Sequence, residues 1–173
     1  MTTANKITIL RIVLVPVFLV LEYLGKSYAA FAVFVLASLS DLMDGYIARH
    51  YHQISVFGKF ADPLADKILV LSAMCFLIEA GSIPGWALAI VIFREFAVSG
   101  LRLVAAQKGI VIAAGWSGKV KTATTMVALC VMLLWVRQSI PWIKWLCTAQ
   151  IVLPTVYSGL EYFQQNSSVL KEE

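Results

Sequence analysis

The chain has 173 residues, of which 60% are hydrophobic and only 14% charged, with a mean hydropathy of +0.82. A water-soluble domain carries about a quarter charged residues, so this composition excludes that class and predicts an integral membrane protein, with the length of a single domain, 1–173. The net charge of +4 is too small in such a chain to indicate nucleic acid as a partner; it suits positive cytoplasmic loops and anionic membrane lipids.

Six apolar runs follow one another, at 7–24, 29–49, 59–80, 86–107, 116–136 and 141–163. Each is close to the ~20 residues that a helix needs to cross a bilayer. The runs are long and do not alternate, which favours helices over a barrel. The predicted fold is therefore all-α, an integral membrane bundle of six transmembrane helices. With the N-terminus inside, the outer connections hold only Lys26, Arg137 and Lys144 of the fourteen basic residues. That asymmetry predicts both termini cytoplasmic and puts the 49–58 connection on the same side. Trp86, Trp116, Trp135 and Trp142 fall near run ends, where an interfacial belt would place them. Cys75, Cys130 and Cys147 form no C-x-x-C pair and read as small buried core residues.

In the first run, Thr8 and Arg11 share a helix face, with Lys6 just outside. Arg11 reads either as an anchor snorkelling to the headgroups or as part of a substrate site. Pro16 is expected to bend this helix. The second and third runs carry the densest polar feature of the chain: Asp41, Asp44, Asp62 and Asp66. The i, i+3 and i, i+4 spacings put each pair on one face of its helix, and two such helices facing each other would gather four carboxylates. Like charges that close require protons or cations between them, and oxygen-only ligands favour Mg²⁺ or Mn²⁺ over zinc, two ions being the simplest count. Pro63 is compatible with a first helical turn capped by Asp62, or with a bend if the helix begins earlier. His50 and His52 read as residues of a solvated loop.

The fourth run holds Arg94, Glu95 and Arg102, and the fifth opens with Lys119 and Lys121. Charges inside a span tend to face a polar cavity, so these four cations suggest an anion pocket beside the metals, unless Glu95 and Arg102 simply neutralise each other. The last run reads as packing or dimer surface, and the tail from 167 to 173 as frayed.

The string Asp41-x2-Asp44-Gly45-x2-Ala48-Arg49-x8-Gly58-x3-Asp62-x3-Asp66 resembles the signature of the CDP-alcohol phosphatidyltransferases at all eight fixed positions. Asn5, Thr8 and Arg11 are similar to an N-x-x-T-x-x-R pattern found in that family, although Thr3-Ala4 stands where Ile-Pro is common. The strings around Arg94–Arg102 and Lys119–Lys121 look like those of the family's bacterial phosphatidylglycerophosphate synthases. The resemblance runs from Asn5 to about Thr122. It implies a bacterial inner-membrane, multi-pass homodimer with its active site facing the cytoplasm. The reaction implied is phosphatidyl transfer from CDP-diacylglycerol to sn-glycerol 3-phosphate. In that reading Asp41, Asp44, Asp62 and Asp66 hold two Mg²⁺ or Mn²⁺ ions and Asp66 is also the general base. Asn5, Thr8, Gly45, Ala48, Arg49 and Gly58 would bind CDP-diacylglycerol, and Arg94, Arg102, Lys119 and Lys121 the glycerol phosphate. Inositol phosphate or phosphatidylglycerol as acceptor is the alternative within the family. A divalent-cation transporter is the alternative outside it, and should show an internal repeat.

Overall fold

The computed structural model describes residues 3–50, 56–113, 115–135 and 141–170, leaving aside the side chains of residues 3, 4, 6, 41–50, 56–60, 168 and 170. Among the described residues the chain is all helical: α1 (Thr3–Tyr23), α2 (Ser27–His50), α3 (Val56–Glu79), α4 (Gly85–Gln107), α5 (Trp116–Trp135), α6 (Pro141–Gln165) and a 3-10 turn, Ser167–Leu170. Each helix matches one apolar run to within about one turn. Among the described residues one helix, Trp116–Trp135, is both long and apolar enough to cross a membrane, and Ser27–Ser40 is a shorter apolar stretch of α2.

Two helix ends are set by glycines that adopt the left-handed conformation, Gly25 and Gly109, each with φ of 73°. After α1 the Lys26 N–H donates to the Leu21 carbonyl at 2.9 Å and the Gly25 N–H to Glu22 at 2.9 Å. After α4 the Ile110 N–H donates to the Ala105 carbonyl at 2.9 Å and the Gly109 N–H to Ala106 at 3.1 Å. Paired bonds of this kind satisfy the last helical carbonyls and stop the helix, and a glycine takes the required positive φ without steric cost. Pro63 lies inside α3 rather than in its first turn. Asp62 is therefore an internal helical residue and not a cap, and Pro63 removes the N–H that would bond the carbonyl four residues earlier.

The chain forms two compact units, Met1–Glu79 and Ala80–Glu173. In the first, α1 is the hub and packs on both α2 and α3. Its buried line is Thr8, Arg11, Val15, Phe18 and Glu22, a 3-4 spacing that keeps one narrow seam inward. Phe18 meets Phe34 of α2 with ring centroids 5.7 Å apart. Ala30 and Ala37 on α2 and Ala61, Ala65 and Ala73 on α3 are all buried. Small residues let helix backbones approach closely, which matters in lipid, where apolar burial alone does not drive helices together.

In the second unit the last helix is the hub, and α4 and α5 both pack on α6. Its buried line, Thr148, Ile151, Thr155, Ser158 and Tyr162, repeats the 3-4 spacing. Of the tail predicted as frayed, residues 167–170 instead form a 3-10 turn, and 171–173 lie outside the described residues. Val169 is buried with Val98, Leu101, Ala105 and Tyr162, and Lys108 Nζ donates to the Val169 carbonyl at 3.0 Å. The cysteine expectation holds for Cys147 alone; Cys130 is half-buried and Cys75 exposed, and all three are free.

Candidate active site

Two side chains of α1 reach the aspartates of α3, and one of them also bonds Ser40 of α2. Thr8 Oγ1 donates to Asp62 Oδ1 at 2.6 Å. Arg11 Nη1 donates to Asp66 Oδ1 at 3.1 Å, and Arg11 Nε donates to Ser40 Oγ at 3.2 Å. Ser40 in turn donates to the Ala37 carbonyl at 2.7 Å. The 3-4 seam of α1 explains the register: Thr8 and Arg11 are one turn apart, as Asp62 and Asp66 are on α3. The Arg11 side chain is 0% exposed while that of Asp66 is 39% exposed. Arg11 is thus no headgroup anchor; it is a buried cation whose charge is met by a carboxylate at the edge of the unit. A buried charge without such a partner would be strongly unfavourable.

Asp62 and Asp66 present carboxylate oxygens from one side of α3, each with one oxygen fixed by α1. An all-oxygen donor set held by outer hydrogen bonds fits a hard divalent cation. Asp41, Asp44, Gly45, Ala48 and Arg49 lie along the last turns of α2, and Gly58 in the first turn of α3. Their side chains, and the readings placed on His50 and His52, fall outside the described residues. Among the described residues no three acidic, histidine or cysteine side chains gather as a metal cage. Asn5 is buried one turn before Thr8.

In the second unit Glu95 is the centre. Its Oε1 accepts from Lys121 Nζ at 2.7 Å and from Arg94 Nη1 at 3.0 Å. All three side chains are largely enclosed, at 7%, 14% and 16% exposure for Lys121, Arg94 and Glu95. Arg94 falls on the buried line of α4 that runs Ala87, Val91, Val98, Leu101, Ala105, which directs it toward the neighbouring helices. Gly159 of α6 makes room for its stem: a Cβ there would come within 3.2 Å of Arg94 Cγ. Among the described residues, Arg94 Nε is buried without a hydrogen-bond partner.

Arg102 stands apart from this trio. It is exposed, and its Nε donates to the Tyr162 hydroxyl at 2.9 Å, with the guanidinium 5.4 Å from the ring centroid. Glu95 and Arg102 therefore have different partners rather than each other. Lys119 is exposed, 5.9 Å from the centroid of the Trp116 ring. Two residues along a helix is about 200°, so Lys119 and Lys121 leave α5 on opposite faces. The structure brings together Arg94 and Lys121 of the four predicted cations. Sequence reasoning missed Ser40, Gly159 and Tyr162. Ser40 directly precedes Asp41, a signal that could have been used; Gly159 and Tyr162 carry none, since Tyr162 lies 60 residues from Arg102 and Gly159 is similarly remote from Arg94.

The profile of the CDP-alcohol phosphatidyltransferase family matches residues 1–150. A CDP-diacylglycerol–glycerol-3-phosphate 3-phosphatidyltransferase of Bacillus subtilis is 40% identical, the alignment covering 96% of each chain. Proteins of the same name from Shigella flexneri and Rickettsia typhi are 37% and 38% identical, covering 90% and 75% of both chains. The carboxylate motif, the basic strings of α4 and α5 and this coverage agree, and the chain belongs to the CDP-alcohol phosphatidyltransferase family.

Proposed function

We propose that this protein transfers the phosphatidyl group of CDP-diacylglycerol to sn-glycerol 3-phosphate, yielding phosphatidylglycerol phosphate and CMP. The observation that carries this reading is that relatives named for the reaction match 75–96% of the chain, through both units. The enclosed pair Arg94 and Lys121 supports an acceptor that bears a phosphate.

In the reaction, a hydroxyl oxygen of the acceptor forms a bond to the phosphatidyl phosphorus, the bridging P–O bond breaks, and CMP leaves with that oxygen. Asp66 takes the proton of the attacking hydroxyl. Asp41, Asp44 and Asp62, with Asp66, hold two divalent ions, Mg²⁺ or Mn²⁺. When bound, such ions neutralise charge at the pyrophosphate and its leaving group. Thr8 and Arg11 keep the α3 carboxylates in register for this task, and Asn5, Gly45, Ala48, Arg49 and Gly58 serve the nucleotide end of the donor. Arg94, Lys121 and Arg102 hold the acceptor phosphate, with Lys119 in a lesser part. Holding both substrates in register removes much of the entropic barrier to reaction.

The two units form one functional domain, 1–173, with six membrane-spanning helices, both termini and the active site cytoplasmic, in a bacterial inner membrane and as a homodimer. The exposed Trp86, Trp116, Trp135 and Trp142 at helix ends support the span limits. The test is CMP release from CDP-diacylglycerol by the purified protein in lipid with Mg²⁺, offering glycerol 3-phosphate, inositol phosphate and phosphatidylglycerol in parallel. Release with glycerol 3-phosphate alone is the expected result. Release with another acceptor overturns the reading of the cations and keeps that of the carboxylates. Asp66→Asn is expected to abolish turnover while retaining CDP-diacylglycerol binding; near-normal turnover removes Asp66 as the base.

A further inference from the structure

We infer that Tyr162, held by the C-terminal 3-10 turn, is a positioning residue that fixes Arg102 for the acceptor phosphate; this rests on the functional reading above and assigns part of its substrate selectivity to the end of the chain. Tyr162 lies beyond residues 1–150, where the family match ends. It is 7% exposed, although Arg102 beside it is an exposed residue. Its ring is enclosed by Val98, Leu101 and Ala105 of α4 and by Val169 of the turn, with Ile112 and Phe163 packed at the margin.

Its hydroxyl is the acceptor for Arg102 Nε. That bond engages the inner N–H of the guanidinium, not the two terminal amino groups that make a fork toward a phosphate. A free arginine side chain loses about 2 kcal/mol of rotamer entropy when a ligand immobilises it. An arginine already tethered by a hydrogen bond and by the adjacent ring has surrendered part of that freedom before the acceptor arrives. The turn is anchored in its own right: Val169 is buried, and its carbonyl accepts from Lys108 Nζ at 3.0 Å. Lys108 is the residue that caps α4, so the end of α4, the turn and Tyr162 form one clasp around the base of Arg102.

The test compares wild-type protein, Tyr162→Phe, a chain ending at Asn166, Arg102→Ala and the Arg102→Ala/Tyr162→Phe double variant. CMP release is measured while glycerol 3-phosphate and CDP-diacylglycerol are varied separately. Tyr162→Phe keeps the packed ring and removes only the hydroxyl. The expected result is a rise of about fivefold to tenfold in KM for glycerol 3-phosphate, with kcat and the KM for CDP-diacylglycerol within about twofold. The shortened chain shifts the same constant in the same direction, and the double variant is no worse than Arg102→Ala, because both changes act through one side chain. An unchanged acceptor KM in Tyr162→Phe overturns the inference. So does an equal fall in kcat at all acceptor concentrations, or an effect of Tyr162→Phe that persists without Arg102. Wild-type protein that releases no CMP with glycerol 3-phosphate overturns the functional reading itself, a result visible before any variant is compared.

Discussion

The two units are built alike but differ in charge balance: the first holds six basic and six acidic residues, the second eight and four. Each has three helices and one hub with a 3-4 buried line, the first helix in one unit and the last in the other. In the first, a lone buried cation, Arg11, is bonded to a carboxylate of α3 and to Ser40 of α2. In the second, the enclosed carboxylate of Glu95 is bonded to Arg94 of its own helix and Lys121 of α5. In both cases the charge that ties helices together is opposite in sign to the candidate site residues it bonds. The bonded partners differ in access: Asp66 is 39% exposed, whereas Lys121 and Arg94 are 7% and 14% exposed. A carboxylate left at the edge suits a site that a cation and a large lipid donor must enter. Cations more deeply enclosed suit a small anionic acceptor whose charge gains from a low local dielectric.

Among the changes that test this comparison, the largest effect should come from removing the tie in the first unit. Arg11→Ala leaves Asp66 and Ser40 without this partner and opens space in the seam of α1. A stability loss of about 2–4 kcal/mol is expected, at the lower side for a buried pair because one partner is partly exposed. Turnover should fall about 100-fold or more, since a misplaced carboxylate affects the chemistry itself. Thermal unfolding and CMP release in the same detergent check both, and wild-type stability would show that Arg11 is not the tie. In the second unit, Glu95→Gln leaves two cations without their counter-charge. The KM for glycerol 3-phosphate is expected to rise about tenfold with little change for CDP-diacylglycerol. A fall in that KM would break the comparison, because Glu95 would then be a competitor of the acceptor phosphate and not its organiser.

The helices were legible because hydropathy and glycine breaks are local signals, and Gly25 and Gly109 stop α1 and α4 where the apolar runs stop. The carboxylate pairs were legible because helical spacing alone puts Asp62 and Asp66 on one face. Their partners were not, since Thr8 and Arg11 lie 54 and 55 residues from Asp62 and Asp66. An arginine near the start of an apolar run looks the same whether it faces headgroups or a carboxylate on another helix. Cys75 fails for a related reason: in a membrane chain an apolar run implies burial in lipid or protein, and composition does not separate the two. Residues 167–170 were misread because the polarity of the tail outweighed one residue, Val169, which is buried.

The smallest expected effect sharpens the second half of the comparison. Lys119 and Lys121 look equivalent in the string Gly118-Lys119-Val120-Lys121, and both suit a positive cytoplasmic end. The helix separates them: Lys121 points into the unit against Glu95, and Lys119 rests exposed beside Trp116. An exposed cation near an aromatic ring contributes about 0.5–1 kcal/mol to its own placement, and from a solvent-facing position it adds only screened attraction to an incoming anion. Lys119→Ala should therefore raise the acceptor KM by about twofold or less, an effect that shrinks further as salt is added. Lys121→Ala should raise it by at least about tenfold at any salt concentration, because it removes an enclosed cation and takes from Glu95 its 2.7 Å partner. Equal effects from the two substitutions would mean that both faces of α5 meet the acceptor, and that enclosure is not what sets the cations of this unit apart.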